Sequence, residues 1–378
     1  KPLPFSFDRD TLATRVNKQG LIETVGSGEP RIDYKDDSKG ALKLEPTRSN
    51  LALWSEDFSQ WNTAGSASAS TNTLISPDGA LTADTCNAAI SSNSGFWRTF
   101  STTIGASYTT SIFIKKGTRN WVALFKSNGS TVGAWFDLVN GTVGTVASGQ
   151  SASIENYGDG WYRCSLTGNA TNTTSYFQFL VADSNDSTSN SIAGTIYIYG
   201  AQLEQGSYAT SYIPTSGGVV TRNQDVCTNS GNDQVINSTE GTIYGEQKSL
   251  ETDFSYNYFS AVSDGTNNNR LEIRQAGTSL QFLWRVGGTY QAAITLSNAP
   301  FSSTIKYALR YSSTDIKFYV NGSLVDTINS PTLYSAGTLN NLQFADGSGN
   351  ANFRGIVKEC KYYNTALTDQ ELINLTTI

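Results

Sequence analysis

The C-terminal third of the chain contains an Asn-Gly pair between two runs of alternating apolar and polar residues. Residues 316–320 precede Asn321-Gly322, and residues 323–325 follow it. Asn-Gly in this setting predicts a two-residue β-hairpin, because both turn positions need a backbone conformation that Asn and Gly tolerate. Further on, Thr368 stands three residues before Glu371, which is the capping-box pattern of a helix start. This stretch is therefore predicted to fold as strands followed by one short helix.

The composition favours an all-β protein. The chain has 378 residues, with Gly 34 and Tyr 19 against Pro 8, and Ser, Thr and Asn are abundant. Many strands separated by turns have this composition. Charged residues make up only 15% of the chain, well below the ~25% of average soluble proteins. A surface built from hydroxyl and amide groups suits hydrogen bonding to sugars.

Charge and residue types exclude several functions. The net charge is −6 and Lys and Arg are not clustered, so the basic patch that nucleic-acid binding requires is missing. His is absent, which removes a Ser-His catalytic pair and His-ligated zinc. No apolar run approaches the ~18 residues of a membrane span, so we expect no membrane insertion.

The four cysteines are Cys86, Cys164, Cys227 and Cys360, and they are widely separated. No CxxC pair is present, which argues against a thiolate metal cage. Cys227 precedes the C-terminal domain and Cys360 lies late in it, so a disulfide between them is one alternative. Buried free thiols are the alternative that we favour.

The central part of the chain alternates with period 2. One set of alternating residues shares one face of a strand, and a second set shares a face of the next strand: Tyr108, Thr110, Ile112 and Ile114, then Trp121, Ala123 and Phe125. Turn pairs separate these and later strands: Lys116-Gly117, Asn128-Gly129, Asn140-Gly141 and Asp159-Gly160. Strands at this spacing predict a β-sandwich.

Changes in composition and strand pattern divide the chain into four parts. Residues 1–50 contain short strands, are too small for a core of their own, and are predicted to form a docking segment. Residues 51–215 form the first predicted sandwich. Residues 216–239, rich in Gly and polar residues, form a predicted linker. Residues 240–378 form the second predicted sandwich.

Several strings in the first two parts resemble those of bacteriophage tail-fibre and head-fibre proteins. They are RIDY at 31–34, EPTRSNL at 45–51, WSEDF at 54–58, GWYR at 160–163, GAQLEQG at 200–206 and TSYIPT at 210–215. The resemblance covers residues 4–222, with a carbohydrate-binding-module-like jelly roll over 50–204. The hairpin, strand and capped helix of residues 240–378 resemble a laminin-G-like, concanavalin A-like domain. The fold class expected is all-β, with two jelly-roll β-sandwiches in tandem after a small N-terminal β segment.

The resemblance implies a protein of the virion surface that meets host glycans. We therefore expect a non-enzymatic tail-fibre or head-fibre adhesin that binds host surface polysaccharide, contacts other virion proteins and forms a homotrimer. One alternative is a purely structural decoration protein. A glycan-cleaving enzyme ranks last, because Glu251 and Asp253 lack a third acid nearby, and Asp183 and Asp186 lie in a turn-like loop.

Aromatic side chains are the candidates for sugar contact, because the C–H faces of pyranose rings stack on π surfaces. Trp97, Trp121 and Trp135 have small or polar neighbours in the sequence, as expected for an exposed face. Trp284 and Tyr290 lie close to Arg285 and to a Gly-Gly pair. The alternative for each is the core of a sandwich, which needs the same residue types.

No cofactor is required by this interpretation, and a structural Ca²⁺ ion is the one candidate. Jelly-roll sugar modules, which the chain resembles, often hold one such ion between their first and last strands. Glu56 and Asp57 at the opening of the domain, with Gln202 and Glu204 at its close, would supply oxygen ligands. We favour the alternative that these are ordinary polar groups at strand ends.

Overall fold

A computed structural model describes residues 4–126, 133–250 and 256–378. The chain divides into two compact units, each assembled from separated segments. We call Thr11–Val25 together with Thr47–Arg222 the central unit. The segments Lys1–Asp10, Gly26–Pro46 and Asn223–Ile378 make up the C-terminal unit.

The described residues form β-strands, one short 3₁₀ turn at Phe58–Gln60 and one helix, α1, at Asp369–Thr376. The strands that begin before residue 160 are β1 (Ser6–Asp8), β2 (Ala13–Val16), β3 (Ile22–Val25), β4 (Ile32–Asp33), β5 (Ala41–Leu44), β6 (Arg48–Asn50), β7 (Asn62–Ala64), β8 (Ser68–Ile75), β9 (Leu81–Ala88), β10 (Ser91–Ser92), β11 (Gly95–Ser101), β12 (Ser107–Lys116), β13 (Trp121–Phe125), β14 (Gly133–Asp137), β15 (Thr142–Val146) and β16 (Gln150–Asn156). The later strands are β17 (Trp161–Asn169), β18 (Thr174–Ala182), β19 (Ser189–Asn190), β20 (Gly194–Gln205), β21 (Val220–Arg222), β22 (Val226–Thr228), β23 (Gly241–Ser249), β24 (Asn257–Ser263), β25 (Arg270–Ala276), β26 (Ser279–Val286), β27 (Thr289–Leu296), β28 (Ile305–Tyr311), β29 (Asp315–Val320), β30 (Ser323–Asn329), β31 (Asn341–Gln343) and β32 (Gly355–Tyr363).

The central unit contains two six-stranded antiparallel sheets with a core between them. The front sheet has the strand order β15-β14-β13-β18-β11-β7, and the back sheet has the order β16-β17-β12-β20-β9-β8. Ile112, Leu124, Phe136 and Phe179 lie in the shared core. Because side chains alternate along a strand, the other half of each strand faces outward. The predicted β-sandwich is confirmed here.

The outer face of the back sheet is covered by the hairpin of β2 and β3. Val16 and Ile22 of this hairpin pack in one buried cluster with Phe113, Trp161 and Tyr199 of the back sheet. These three aromatic residues therefore have a structural role. The front sheet has a different outer face, which carries the candidate site described below.

The C-terminal unit is also a two-sheet sandwich. Its seven-stranded sheet has the order β30-β29-β28-β23-β32-β5-β4, and its five-stranded sheet has the order β27-β26-β25-β24-β31. Helix α1 packs through Leu372 on the outer face of the seven-stranded sheet, against Tyr244, Ala308 and Tyr319. Its predicted capping box is formed, with reciprocal hydrogen bonds between Thr368 and Glu371.

The predicted Asn-Gly hairpin is present between β29 and β30. Asn321 has φ +49° and Gly322 has φ +80°, so both turn residues adopt the left-handed conformation that this turn needs. The local signals of the C-terminal third were thus sufficient for its hairpin and its helix.

The domain boundaries differ from the predicted ones. Residues 1–50 contribute the hairpin β2–β3 to the central unit and the strands β4 and β5 to the C-terminal unit. The predicted linker 216–239 contains β21, which pairs with β6, and β22, which pairs with β1. The physical reason is that short strands bury their backbone polar groups by joining existing sheets, which a reading of one segment at a time does not include.

Buried ion pairs tie the N-terminal segments into the C-terminal unit. Asp225 pairs with Arg9 at 2.9 Å and with Arg31, and Arg31 also pairs with Glu45 at 2.7 Å. The Asp225 carboxylate also accepts a hydrogen bond of 2.8 Å from the backbone N–H of Glu45. All four side chains are buried, so each charge depends on its partner for compensation. The neighbouring carboxylates raise the pKa of Arg31 well above its usual range.

All four cysteines are free thiols in the structure, so the alternative of a Cys227–Cys360 disulfide is not realised. Burial raises the pKa of Cys86, Cys227 and Cys360 to about 12 in each case. In the described part of the chain, no helix is both long and apolar enough to cross a membrane.

Candidate functional site

The outer face of the front sheet carries a row of polar and aromatic side chains in direct register. On β11, Phe96 lies in the core, so Trp97 faces outward. The residue opposite Trp97 on β18 is Gln178, and the residue opposite it on β7 is Asn62. Trp97 is thus flanked by one amide side chain on each neighbouring strand, since directly opposed residues share a face.

A second aromatic ring lies next to Trp97. The rings of Trp97 and Tyr176 have centroids 5.6 Å apart and are tilted by 47°. The indole Nε1 of Trp97 donates a 3.3 Å hydrogen bond to the carbonyl oxygen of Thr63, which fixes the ring. Thr99 lies opposite Tyr176 and is exposed. We call Asn62, Trp97, Thr99, Tyr176 and Gln178 the amide–aromatic patch.

The patch borders a polar cavity of about 420 Å³, which Tyr176 helps to line. This volume lies within the ~300–1,000 Å³ of typical small-molecule sites. Gln150, Asn169 and Asn172 also line it, and the buried Oε1 of Gln150 has no hydrogen-bond partner among the described residues. A buried acceptor of this kind favours a polar ligand or water at that position.

A buried lysine forms the inner wall of the cavity. The Nζ of Lys126 donates hydrogen bonds to the carbonyl oxygens of Tyr108, at 2.6 Å, and Gly168. Burial lowers the pKa of Lys126 to about 8. The ammonium group is thus engaged with the backbone and shapes the cavity rather than projecting into solvent.

Trp121 and Trp135 lie on the same outer face as Trp97, but Trp135 is covered, so its predicted exposure is wrong. It is only 5% exposed, its Nε1 donates to the carbonyl oxygen of Ser187 at 2.8 Å, and its ring packs edge-on against Phe125. Trp121 packs partly buried in the same cluster. The segment after β18 thus closes one half of the face and leaves the Trp97 half accessible.

Trp284 and Tyr290 point in opposite directions. Trp284 on β26 is opposite Leu271, and both lie in the core of the C-terminal unit. At 2% exposure, Trp284 is a core residue and does not form a ligand-facing surface, which corrects its assignment as a contact residue. Tyr290 is 49% exposed and lies opposite Arg285 on the outer face of the five-stranded sheet.

The residues proposed as calcium ligands are engaged in other contacts. Glu204 accepts hydrogen bonds from the backbone N–H and the hydroxyl of Thr210 at 2.8 and 2.7 Å, and also from the side chain of Gln202 at 2.7 Å. The Oε1 of Gln202 accepts from the N–H of Ile213 at 2.7 Å. Both side chains are fully buried, and their oxygens hold the segment 210–213.

Glu56 and Asp57 are engaged elsewhere. Glu56 accepts from the hydroxyl groups of Tyr212 and Tyr199 at 2.9 and 3.2 Å, and Asp57 accepts from the backbone N–H of Ser59 at 3.1 Å. Burial, together with nearby Asp78 and Asp84, raises the pKa of Glu56. Among residues 4–126, 133–250 and 256–378, no group of three or more Asp, Glu, Cys or His is placed to hold a metal. The predicted ligand set therefore does not fit a calcium clip.

The structure describes two of the four candidate catalytic acids, Asp183 and Asp186. Glu251 and Asp253 lie outside the described residues, as does the predicted turn Asn128-Gly129. Asp183 forms an ion pair with Arg119, so its carboxylate has a structural partner. Asp186 lies in the same exposed loop and has φ +59°.

Sequence reasoning missed four residues of the amide–aromatic patch, namely Asn62, Thr99, Tyr176 and Gln178. Strand pairing brings Asn62 and Gln178 opposite Trp97, and it brings Thr99 opposite Tyr176. A usable signal was present for two of them: the alternating run from Tyr176 to Val181 puts Tyr176 and Gln178 on one face. Asn62 and Thr99 are found only once the pairing of β7, β11 and β18 is known.

Residues 232–373 match the family model described as the concanavalin A-like lectin/glucanases superfamily. The predicted laminin-G-like, concanavalin A-like domain of the C-terminal third is thereby confirmed. No curated protein matches the chain.

Three solved structures illustrate what the chain is similar to. The module CBM40 of an IT-sialidase from Ruminococcus gnavus has 18% identity and a TM-score of 0.33, over 37% of this chain and 84% of that one. Domain 4 of an extracellular arabinanase from Geobacillus stearothermophilus, in complex with arabinotriose, has 13% identity and a TM-score of 0.33, over 46% and 83%. A SAP-like pentraxin from Limulus polyphemus has 13% identity and a TM-score of 0.33, over 40% and 74%. None of these similarities assigns a ligand to this chain.

Proposed function

We propose that the chain binds glycans without cleaving them, and that the amide–aromatic patch of the front sheet is its saccharide site. The observation that carries the proposal is Trp97, half-buried beside Tyr176 and flanked in register by Gln178 and Asn62. An aromatic ring offers an apolar surface to the C–H face of a pyranose. An amide side chain offers both a donor and an acceptor to a hydroxyl group.

We further propose that this binding serves a virion adhesin at the virion surface, a tail or head fibre that attaches to host polysaccharide. The support is the order of the fibre-type strings over residues 4–222. A shallow, polar patch offers little net burial, so affinity per site is expected to be weak. A homotrimer on a many-copy virion, held by other virion proteins, would compensate through effective concentration.

A glycan array probed with the purified chain tests the proposal, followed by calorimetric titration of the best saccharide. Trp97→Ala removes the ring, and Trp97→Phe keeps an aromatic surface. We expect the Ala variant to lose binding, and the Phe variant to retain part of it. Leu324→Ala is the control, since Leu324 is an exposed apolar residue of the other unit and lies outside this patch. A Trp97→Ala variant that binds as well as the wild type, or a folded chain that binds no glycan, contradicts the proposal.

A structural decoration protein is the second candidate. It is favoured by the burial of Trp135, Trp161 and Trp284, because a bracing protein uses its aromatic residues for packing. Acrylamide quenching of tryptophan fluorescence separates the two candidates. A saccharide that protects one accessible tryptophan supports the adhesin, whereas quenching that no saccharide changes supports the structural role.

A further inference from the structure

The outer face of the five-stranded sheet in the C-terminal unit carries three arginines. Along β25, Leu271 and Ile273 lie in the core, so Arg270, Glu272 and Arg274 project from the opposite face. On the neighbouring strand β26, Arg285 stands directly opposite Arg270. This face therefore differs from the amide–aromatic patch, which contains no charged side chain.

The positive charge of this face is only partly compensated. Glu272 contacts both neighbours on its own strand, with 2.8 Å from its Oε2 to Arg270 Nε and 3.6 Å from its Oε1 to Arg274 Nη1. One carboxylate thus serves two guanidinium groups. Arg285 makes no ion pair with any described residue, and its Nε is buried without a hydrogen-bond partner there. Like charges directly opposite each other on paired strands destabilise a sheet.

The other nearby carboxylates are engaged by their own loops. Asp264 accepts hydrogen bonds from Thr266 and from Asn269, at 2.6 and 2.8 Å. Asp346 accepts from Ser348 at 3.0 Å and from the N–H of Asn350 at 2.9 Å. These bonds lower the pKa of both acids, so the two charges are present at neutral pH but are directed to the loops.

Tyrosine rings stand beside the arginines. Tyr290, half exposed, is opposite Arg285. Tyr256, which is 48% exposed, lies over Arg274 with 4.1 Å from the guanidinium carbon to the ring centroid. We call Tyr256, Arg270, Arg274, Arg285 and Tyr290 the arginine patch.

The middle of this outer face is covered, and its accessible part lies along β26 and β27. In register with Glu272 lie Ala261 on β24 and Leu283 on β26, and Leu283 is opposite Ala293 on β27. Ala261 and Glu272 are fully buried and Leu283 is 8% exposed, whereas Arg285, Tyr290 and Ala293 keep accessible surface. A sugar ring lying at this accessible edge would contact Tyr290 and Ala293, with the guanidinium group of Arg285 opposite Tyr290.

We propose that the arginine patch is a second saccharide site, specific for sugars that carry a carboxylate. Arg285 pairs with the carboxylate, and Tyr290 packs against the sugar ring. A guanidinium group is suited to this role, because its planar fork donates two parallel hydrogen bonds to a carboxylate. A bound anion would also relieve the repulsion between Arg270 and Arg285. The inference rests on the proposed glycan-binding function but uses different residues in a different unit.

The test compares a galacturonic acid oligosaccharide with its methyl ester, which is neutral and otherwise nearly the same in shape. Both are titrated into the full chain by calorimetry, with glucuronic and sialic acid oligosaccharides and one sulfated oligosaccharide as further probes. We expect an acidic sugar to bind and the ester to bind far more weakly. Equal binding of acid and ester, binding of the sulfated probe alone, or binding of no acidic sugar overturns the proposal.

Variants then place the site. Arg285→Gln removes the charge and is expected to weaken binding of the acidic sugar about tenfold or more, as for loss of a hydrogen bond to a charged group. Arg285→Lys keeps the charge without the planar fork, so its affinity for the acidic sugar is expected to lie between those of the wild type and Arg285→Gln. Tyr290→Ala is also expected to weaken binding of the acidic sugar. Thermal unfolding checks that each variant folds. Acidic-sugar binding that Arg285→Gln and Tyr290→Ala both leave intact contradicts the assignment.

Trp97→Ala keeps the two proposals separate. It is expected to leave acidic-sugar binding unchanged while it removes binding at the amide–aromatic patch. Acidic-sugar binding that Trp97→Ala also abolishes contradicts the arginine patch, and neutral-sugar binding that Trp97→Ala leaves intact contradicts the amide–aromatic patch.

Discussion

The front sheet of the central unit and the five-stranded sheet of the C-terminal unit each turn one face toward a core and the other outward. In each unit the opposite sheet is covered by an added element: the hairpin β2–β3 covers the back sheet, and helix α1 covers the seven-stranded sheet. The two remaining outer faces differ in chemistry. One presents amide and aromatic groups, and the other presents arginines and tyrosines.

This difference shows that the sandwich determines where an outward-facing surface lies, while the outward half of each strand determines its chemistry. Alternation keeps the inner half apolar in both units, so the outer residues vary without cost to the core. The two surfaces that we propose as binding sites can therefore differ in chemistry within one architecture.

The largest expected effect is a loss of stability in the C-terminal unit that leaves the central unit almost unchanged. Asp225→Ala leaves Arg9 and Arg31 without their shared carboxylate, and breaking a buried ion pair costs about 3–5 kcal/mol. We expect hydrogen exchange to accelerate in β23 and β32 of the C-terminal unit, with little change in β12 and β20 of the central unit.

Asp36→Ala is the control for this experiment, because Asp36 is an exposed acid of the same unit with a 3.7 Å contact to Lys35. It is expected to change exchange very little, since exposed ion pairs contribute about 0–1 kcal/mol. Equal acceleration of exchange in both units would mean that the ion-pair cluster does not act on one unit alone.

The next effect concerns binding at the amide–aromatic patch. Trp97→Ala is expected to weaken binding of a neutral saccharide about thirtyfold, because a central aromatic contact contributes about 2 kcal/mol or more. Calorimetric titration measures the loss. Tyr176→Ala removes the adjacent ring and is expected to have a smaller effect in the same direction; no effect of either variant contradicts the site.

Salt distinguishes the two patches without any mutation. Added sodium chloride screens a partly exposed ion pair, so binding of an acidic sugar at the arginine patch is expected to weaken severalfold. Binding of a neutral sugar beside Trp97 is expected to change little. An equal salt response for both sugars, measured by the same titration, would remove the chemical distinction between the patches.

The smallest expected effect concerns Glu56 in the central unit. Its pKa is raised above the ordinary value of 4.5 by burial and nearby acids, so the folded state holds this proton more tightly than the unfolded state. Ionisation therefore lowers stability as the pH rises from the unfolded pKa through the folded one. Glu56→Gln is expected to raise the free energy of unfolding at neutral pH, and to have less effect below pH 4.5. Urea unfolding at both pH values measures this; a variant less stable at neutral pH contradicts it.

The sequence predicted local features well and long-range pairing poorly. The hairpin at Asn321-Gly322 and the cap at Thr368 depend on neighbouring residues, and both are present. The small and polar neighbours of Trp97, Trp121 and Trp135 predicted an exposed face, and only Trp97 and Trp121 keep part of their surface accessible. Trp135 is covered by the carbonyl of Ser187 and the loop around it. That loop lies far from Trp135 in the sequence, so the residues next to Trp135 do not predict its burial.

Trp284 also shows that sequence neighbours do not predict long-range strand pairing. Its neighbours in the sequence, Arg285 and the Gly-Gly pair, suggest an exposed position, but its opposition to Leu271 puts the ring in the core. The outward-facing Arg270 and Arg274 were visible as alternating charges on one strand. Their significance depends on Arg285, which only strand pairing brings opposite Arg270.

The most direct test of the amide–aromatic patch follows the indole N–H resonances of the chain's seven tryptophans during titration with the best neutral saccharide from the array. We expect a progressive shift of the Trp97 resonance, with the buried Trp135 and Trp284 resonances unchanged. A saccharide that binds while the Trp97 resonance stays fixed would contradict the assignment of the amide–aromatic patch as the glycan site.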